Sequence, residues 1–440
     1  MKLTPYPTYK VSGVEWMGKI PEEWKVNPLK HHFKIVGGST PKSDQEEYWD
    51  GDITWVTPSD LSKLSSFAIN NSQRKITSAG LSSCGSSLVP AGSIVLSTRA
   101  PIGSLALAEI ELCTNQGCKS LVPNIEANSM FYTYLLSVSS VELNARGKGT
   151  TFLELSGNEL SAFKVGFPSP EEQSWIVSFL DRETGKLDTL IAKQEHLIEL
   201  LQEKRQAIIT HAVTKGLDPY AKMKDSGVEW LGKIPDKWFT APLKKVLFKP
   251  LMYGANEASD EAIPENPRYV RITDIDVDGN LRDDTFRSLS KELADPYLLS
   301  DGDILLARSG ATVGKSFIYK DSWGVCCFAG YLIKASVDKS IMDADFLYAC
   351  FQSTFYWQYI NSEQIQATIQ NVSAERYGNF KIPVPTIEDQ FKIILFLKQQ
   401  TAKIDSLIDK SRRSIELAKE HRTALISAAV TGKIDVREAA

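Results

Sequence analysis

"FPSPEEQSWIVSFLDRETGKLDTLIAKQEHLIELLQEKRQAIITHAVTKGLD" runs from Phe167 to Asp218, and "VPTIEDQFKIILFLKQQTAKIDSLIDKSRRSIELAKEHRTALISAAVTGKID" runs from Val384 to Asp435. They are two copies of one block. Gln173 answers to Gln390, Phe179 to Phe396, Asp188 to Asp405 and Arg205 to Arg422, and an Ala-Val-Thr triplet begins at Ala212 and at Ala429. The first copy opens with a helix-start signature: Ser169 suits the cap, Pro170 the first helical position, and Glu172 sits three after the cap. Thr386-Ile387-Glu388-Asp389 is a weaker version, and Gly216 and Gly432 mark the ends. These limits predict helices over about 169–215 and about 386–432, each roughly 45 residues or about 67 Å long at about 1.5 Å per residue, far beyond an ordinary globular helix. Apolar residues recur in steps of four and three at Ile176, Leu180, Leu187, Leu190, Leu197, Leu201, Ile208 and Ala212, with Glu183, Gln194 and Lys204 interrupting. The second copy follows with Ile393, Leu397, Ile404, Leu407, Leu425 and Ala428, interrupted near Ser411 and Ser414. This is heptad spacing. One helix cannot bury such a stripe alone, and two equivalent copies separated by a whole domain pair most simply with each other, antiparallel.

A shorter block is also written twice: "KVSGVEWMGKIPEEW" at Lys10–Trp24 and "KDSGVEWLGKIPDKW" at Lys224–Trp238, with eleven of fifteen positions identical. The order is short block, variable region, long block, then the same again, so that the chain joined end to end would close into a ring of two equal halves. The resulting division is a conserved segment 1–24 that completes the distal repeat unit, a variable domain 25–160, a central conserved region 161–238, a second variable domain 239–380 and a distal conserved region 381–440. The variable domains are nearly equal in length yet share only echoes such as Gly92-Ser-Ile94-Val-Leu96 against Gly302-Asp-Ile304-Leu-Leu306. Equal size with divergent sequence points to one fold used for two recognition tasks. Each domain mixes short β-type runs broken by Gly, Pro, Asn and Asp with a helical stretch, at Met130–Val138 in the first and Asp343–Ile360 in the second.

The totals narrow the function classes. The chain has 440 residues, 42% of them hydrophobic and 24% charged, the balance of a globular protein. No signal-like N-terminus and no long apolar window is present, and the cysteines (Cys84, Cys113, Cys118, Cys326, Cys327 and Cys350) form no CxxC pair, so the expected compartment is cytoplasmic, with neither membrane nor zinc. A net charge of −4 argues against gripping nucleic acid by bulk electrostatics alone. The histidines His31, His32, His196, His211 and His421 lack metal spacing. There is no PPY or PPF tetrapeptide and no cofactor-binding glycine fingerprint. "SGATVGKS" at Ser309–Ser316 imitates a phosphate-binding loop, but Ser309 stands where the first glycine belongs. The chain reads as non-catalytic.

The openings Ser12–Pro21 and Ser226–Pro235, the segment Gly37–Leu61 and the helix Pro168–Ile191 with its copy Pro385–Ile408 together resemble the specificity subunit of type I restriction–modification enzymes. The resemblance covers nearly the whole chain, repeat order included. It implies two α/β target recognition domains, related by a pseudo-twofold axis and joined by two long antiparallel coiled-coil helices. It also implies double-stranded DNA as ligand, two methyltransferase subunits and ATP-driven restriction subunits as partners, and S-adenosylmethionine and ATP on those partners rather than on this chain. A coiled-coil scaffold that binds only proteins is the alternative reading.

Base-contacting candidates are loop residues that donate or accept hydrogen bonds. In the first domain these are Lys42, Thr57, Ser59, Arg99, Asn115, Gln116, Lys119, Arg146 and Lys148; in the second they are Arg271, Thr273, Arg308, Lys315, Gln370 and Asn371.

Overall fold

The computed structural model describes residues 4–99, 101–149, 153–259, 262–276, 279–365 and 371–437. It divides into two compact units, Met1–Gln194 with Arg413–Ala440, and Glu195–Arg412.

In the first unit, β1 (Phe33–Gly37), β2 (Trp49–Val56), β3 (Ala68–Ile69), β4 (Lys75–Ile76), β5 (Ile94–Thr98), β6 (Ile102–Ala108), β7 (Cys113–Thr114) and β8 (Cys118–Pro123) form two sheets. The larger has the order β1-β8-β5-β6-β3 and the smaller β7-β2-β4. Every residue of β5 is buried, as a central strand covered on both faces requires. Helix α1 (Ser129–Ser137) packs its Phe131, Tyr132, Leu135 and Leu136 into the same core as Ile94, Leu96 and Leu121. Asn128 starts it, with Oδ1 accepting from the amides of Met130 (3.0 Å) and Phe131 (3.3 Å). The long helix α2 (Pro170–Lys215) follows.

The second unit repeats this plan. Its strands are β9 (Met252–Tyr253), β10 (Arg268–Val270), β11 (Ile304–Ala307), β12 (Ser316–Ile318), β13 (Cys326–Phe328) and β14 (Leu332–Ala335). The order β9-β14-β11-β12 matches β1-β8-β5-β6, and β13 runs parallel to β10 as β7 does to β2. Helices α3 (Ala344–Phe351) and α4 (Thr354–Ile365) precede the second long helix, α5 (Ile387–Val430). The unlike variable sequences therefore build one strand plan twice.

The glutamine in the first turn of each long helix has a definite task. Gln173 is fully buried; its Nε2 donates to the carbonyls of Pro168 (3.0 Å) and Glu126 (3.3 Å), and its Oε1 accepts from the Asn128 amide (2.8 Å). Gln390 does the same with Pro385 (3.0 Å), Ile341 (2.9 Å) and the Asp343 amide (2.7 Å). Asn128 and Asp343 are the caps of α1 and α3. One side-chain amide thus locks each long helix to the cap of its domain's helix, with both donors and its acceptor satisfied.

Within the first unit, Ile176, Phe179 and Leu180 near the start of α2 share a core with Ile426, Ala429 and Val430 at the end of α5. Within the second, Ile209, Ala212 and Val213 share a core with Ile393, Ile394 and Leu397. The helices pair antiparallel. The pairing is reciprocal: Arg422 Nε lies 3.0 Å from Asp188 Oδ1, and the equivalent Arg205 Nε lies 3.2 Å from Asp405 Oδ1.

The buried seam differs from the leucine stripe expected. Leu190, Leu197 and Leu407 are exposed. The covered line on α2 runs Thr184, Leu187, Ile191, Gln194, Ile198, Leu201, Arg205, Ile208 and Ala212. On α5 it runs, position for position, Thr401, Ile404, Ile408, Ser411, Ile415, Ala418, Arg422, Leu425 and Ala429. Steps of three and four alternate without a break. Gln194 and Ser411 belong to the seam rather than interrupting it, because strict heptad phase outranks the hydrophobicity of single residues.

The short blocks close both helix ends. Trp24 is buried and its Nε1 donates to Glu172 Oε1 (3.0 Å), the oxygen that also accepts from the Tyr6 hydroxyl (2.7 Å). Gly432, at φ +71°, lies so close to Pro21 that any Cβ would collide with the proline ring. Gly216, at φ +73°, faces Trp238, where a Cβ would fall 3.2 Å from the indole ring. The Asp435 amide donates to the Thr4 carbonyl (2.8 Å), so segments from both ends of the sequence build in the first unit what the continuous stretch Gly216–Trp238 builds in the second.

Candidate nucleic-acid interface

Most of the candidates lie on loops at strand ends, although Lys119 lies within β8 and Ser59 within a short helix, and the same backbone bonds hold those loops in both units. In the first, the Ser39 amide donates to Thr114, Asn115 to Val56, Thr98 to Gly117 and Leu155 to Thr98, at 3.0, 2.9, 2.8 and 2.9 Å. In the second, Ala255 donates to Phe328, Ala329 to Val270, Arg308 to Tyr331 and Val372 to Arg308, at 2.9, 3.0, 3.0 and 2.9 Å. Arg99 bridges Glu154 as Ser309 bridges Asn371. Gly38 and Gly254 make the close approach possible, because a Cβ on either would strike the carbonyls of Thr114 and Asn115, or of Phe328 and Ala329. The frame is common; the side chains it carries are not. Thr98 stands where Arg308 does, Gly117 where Tyr331 does, Arg99 where Ser309 does and Glu154 where Asn371 does.

Several candidates hold the frame itself. Thr57 caps the short helix Pro58–Ser62: its Oγ1 donates to Asp60 Oδ2 (2.6 Å), and the same oxygen takes the Thr57 amide (2.8 Å). Arg271 occupies the equivalent corner, its Nε and Nη2 donating to the buried Asp274 carboxylate (3.1 and 2.8 Å) and Nη2 also to the Thr285 carbonyl (3.1 Å). Arg146 and Lys148 converge on Glu159 at 3.8 and 2.7 Å, and the Lys148 ammonium holds that carboxyl below its ordinary pKa. Ser59 and Thr273 are exposed, the latter with Oγ1 3.4 Å from Asp274 Oδ1.

Three first-unit candidates come together. Arg99 lies over Gly117, where a Cβ would fall 3.2 Å from its Nε. Asn115 Oδ1 accepts from the Gly117 amide (2.9 Å), and Gln116 Oε1 accepts from the Thr40 hydroxyl. Lys119 is on β8 opposite Gly37, and Lys42 is exposed, its carbonyl taking the Trp49 indole (3.1 Å).

In the second unit the Arg308 guanidinium stacks over Tyr253 at 4.7 Å from the ring centre. Arg308 Nε and Asn371 Oδ1 are buried without a hydrogen-bond partner, and Tyr331 beside them is 67% exposed. Gln370 lies outside the described residues. Lys315 is exposed on the hairpin joining β11 and β12. The segment Ser309–Ser316 makes one 3-10 turn and then enters a strand, whereas a phosphate-binding loop needs a helix after its lysine; this removes the nucleotide-binding reading of Lys315.

Residue reading overlooked Tyr253 and Tyr331 because it searched for polar loop residues. The signal was present in the Gly92/Gly302 echo, which, extended in register, sets Thr98 on Arg308. Among the described residues no three His, Cys, Asp or Glu side chains gather as a metal site would require, and no helix is long and apolar enough to cross a membrane. Burial pushes the thiols of Cys113 and Cys326 up to about 11 and those of Cys118 and Cys327 up to about 12, away from nucleophilic use.

Comparison with known proteins converges on one family. The type I restriction enzyme MjaIX specificity subunit of Methanocaldococcus jannaschii is 36% identical over 189 residues, a match spanning 42% of this chain and only 43% of that relative's length. The MjaVIII specificity subunit of the same organism is 22% identical over 426 residues, 95% of each chain. A chain from a structure on complex assembly and conformational transition of the type I R-M system has a TM-score of 0.70 at 16% identity, covering 93% of this chain and 98% of its own. The HsdS subunit from Thermoanaerobacter tengcongensis has a TM-score of 0.51 at 15% identity, covering 94% and 98%. These two likenesses bear on the fold. The family model for the type I restriction modification DNA specificity domain matches residues 21–200 and 266–417, taking in most of both variable regions and of both long helices, and the chain belongs to that family.

Proposed function

We propose that each unit reads one half of a split, asymmetric target in double-stranded DNA, that the paired long helices set the unread spacer, and that the repeat blocks dock two methyltransferase subunits, joined in the full complex by ATP-driven restriction subunits. The observation that carries this reading is the shared loop frame holding different side chains in the two units. Two heads of one shape and unlike chemistry suit a duplex, which offers equivalent groove surfaces one helical turn apart to a protein with internal symmetry. The chain itself does no chemistry. S-adenosylmethionine and ATP act on the partner subunits, and the methyltransferase must extrude its adenine from the stack. A net charge of −4 fits a reader whose partners complete the cationic clamp on the phosphates. The complex works in the cytoplasm, where its DNA lies.

Methylome sequencing of a host expressing this chain with its cognate methyltransferase tests the reading. A motif of two short specified halves separated by unread bases is the expected result. A continuous motif, or methylation indifferent to deletion of this chain, overturns it. A footprint unchanged by exchange of the variable domains would instead favour a protein-only scaffold.

A further inference from the structure

We infer that Arg308, whose guanidinium lies over the face of Tyr253, reads a guanine in the half-site of the second unit; this rests on the DNA-reading function above. Three other cations of this unit are already paired. Arg271 is bound to Asp274, Arg282 to Asp284, and Lys334 to Asp303 and the Leu298 carbonyl. Arg308 has no acidic partner among the described residues; its guanidinium instead lies over the face of the Tyr253 ring. That ring is itself fixed, because the Tyr253 hydroxyl accepts from the Ala374 amide (2.9 Å). The contact with this ring places the guanidinium before any ligand arrives, so less rotamer freedom is lost on binding.

The buried polar atoms are Arg308 Nε and Asn371 Oδ1, which leaves the Arg308 Nη nitrogens and Asn371 Nδ2 as the atoms within reach of a ligand. All of these are donors. The N7 and O6 atoms of guanine form an acceptor pair on the major-groove edge, and a guanidinium fork matches them bidentately. Tyr331, whose carbonyl accepts from the Arg308 amide, is exposed and gives this loop apolar surface that suits a base edge better than a hydrated phosphate. The frame position also varies without cost to the fold. Thr98 holds the equivalent place in the first unit with the same two backbone bonds, and there the arginine comes one residue later, over a glycine. The two heads thus aim their arginines from different frame positions, as reading unlike half-sites requires.

The test uses the assembled complex of this chain with its methyltransferase on duplex libraries randomised in both half-sites. Arg308→Ala should relax one position of one half-site, losing roughly 5- to 150-fold in discrimination for guanine there, with the other half-site unchanged. Tyr253→Leu, which leaves the arginine in place but removes its platform, should reduce discrimination at the same position by a smaller factor. If Arg308→Ala fails to assemble, Arg308→Gln keeps a polar side chain of similar length and reports on the same position. A uniform loss across all sequences with a shallower salt dependence would make Arg308 a phosphate contact and overturn the inference while leaving the function standing. No change at any position overturns it equally. A wild-type library without a split motif would sink the DNA-reading function itself.

Discussion

Gln173 and Gln390 show how much a single buried amide can decide. Each joins a long helix to the cap of a domain helix through three hydrogen bonds. Replacing Gln173 by Ala leaves an amide and two carbonyls without partners, and should cost the first unit about 3 kcal/mol. Hydrogen exchange should then show lost protection along Phe131–Leu136 and none along Phe346–Phe351, with Gln390→Ala giving the converse. A second residue-scale prediction concerns pH. His32 is buried, stacked on Phe167 at 3.6 Å between ring centres, with Nε2 3.0 Å from the Asn27 amide nitrogen. Burial, reinforced by His31 and opposed by Glu126, lowers its pKa below the usual value. The unfolded chain therefore takes up a proton near pH 6.5 that the folded chain accepts only at lower pH. Stability should fall as pH drops through this window and stay flat above it. His32→Phe, which keeps the stack, should abolish that slope; equal slopes in urea titrations between about pH 5 and about pH 7 would refute the assignment.

At the scale of the element, the seam is the decisive feature, and it separates two readings of the same helix. A leucine-following reading buries Leu407; the observed phase buries Ile408 at 6% exposure and leaves Leu407 at 48%. Ile408→Ala should therefore cost about 2–4 kcal/mol, through lost burial and the cavity left against Leu201. Leu407→Ala should stay within about 0.5 kcal/mol. Equilibrium unfolding of the two variants checks both, and reversed magnitudes would restore the leucine stripe. Helix existence, ends and antiparallel pairing were legible in the sequence because Ser169, Pro170, Gly216 and Gly432 are local signals and because the repeat supplies its own partner. The phase was not legible in its middle. Gln194, Arg205 and Ser411 occupy seam positions, and a polar residue there is visible as covered only when the facing helix is present. The loop frame was hidden for a related reason: Thr57 and Arg271 look like free donors in sequence, yet Asp60 and Asp274 claim them.

For the molecule as a whole, equivalence of the two units makes the reading modular. Exchange of residues 25–160 for another such domain should alter one half of the methylated motif and leave the other intact, because Trp24 and Glu172 lie outside the exchanged segment and Gln173 grips the domain through backbone groups, the Glu126 carbonyl and the Asn128 amide, which another domain of the same fold supplies in the same place. The spacer follows from the helices instead. Seven residues inserted after Gln194 and seven after Ser411 add a full heptad to each partner, so every seam position keeps its phase. Each helix lengthens by about 10 Å, which at about 3.4 Å per base-pair step widens the unread gap by roughly three base pairs. Four residues at both places add about 6 Å, or roughly two base pairs, but as a stutter that locally unwinds the pair, so the gap should widen with some loss of stability. Insertion into one helix alone opposes Arg205 to the wrong turn and should abolish assembly rather than shift the gap. Methylome motifs from the paired insertions decide the matter, since a gap that ignores both lengths would mean that something other than the helices holds the two half-sites apart.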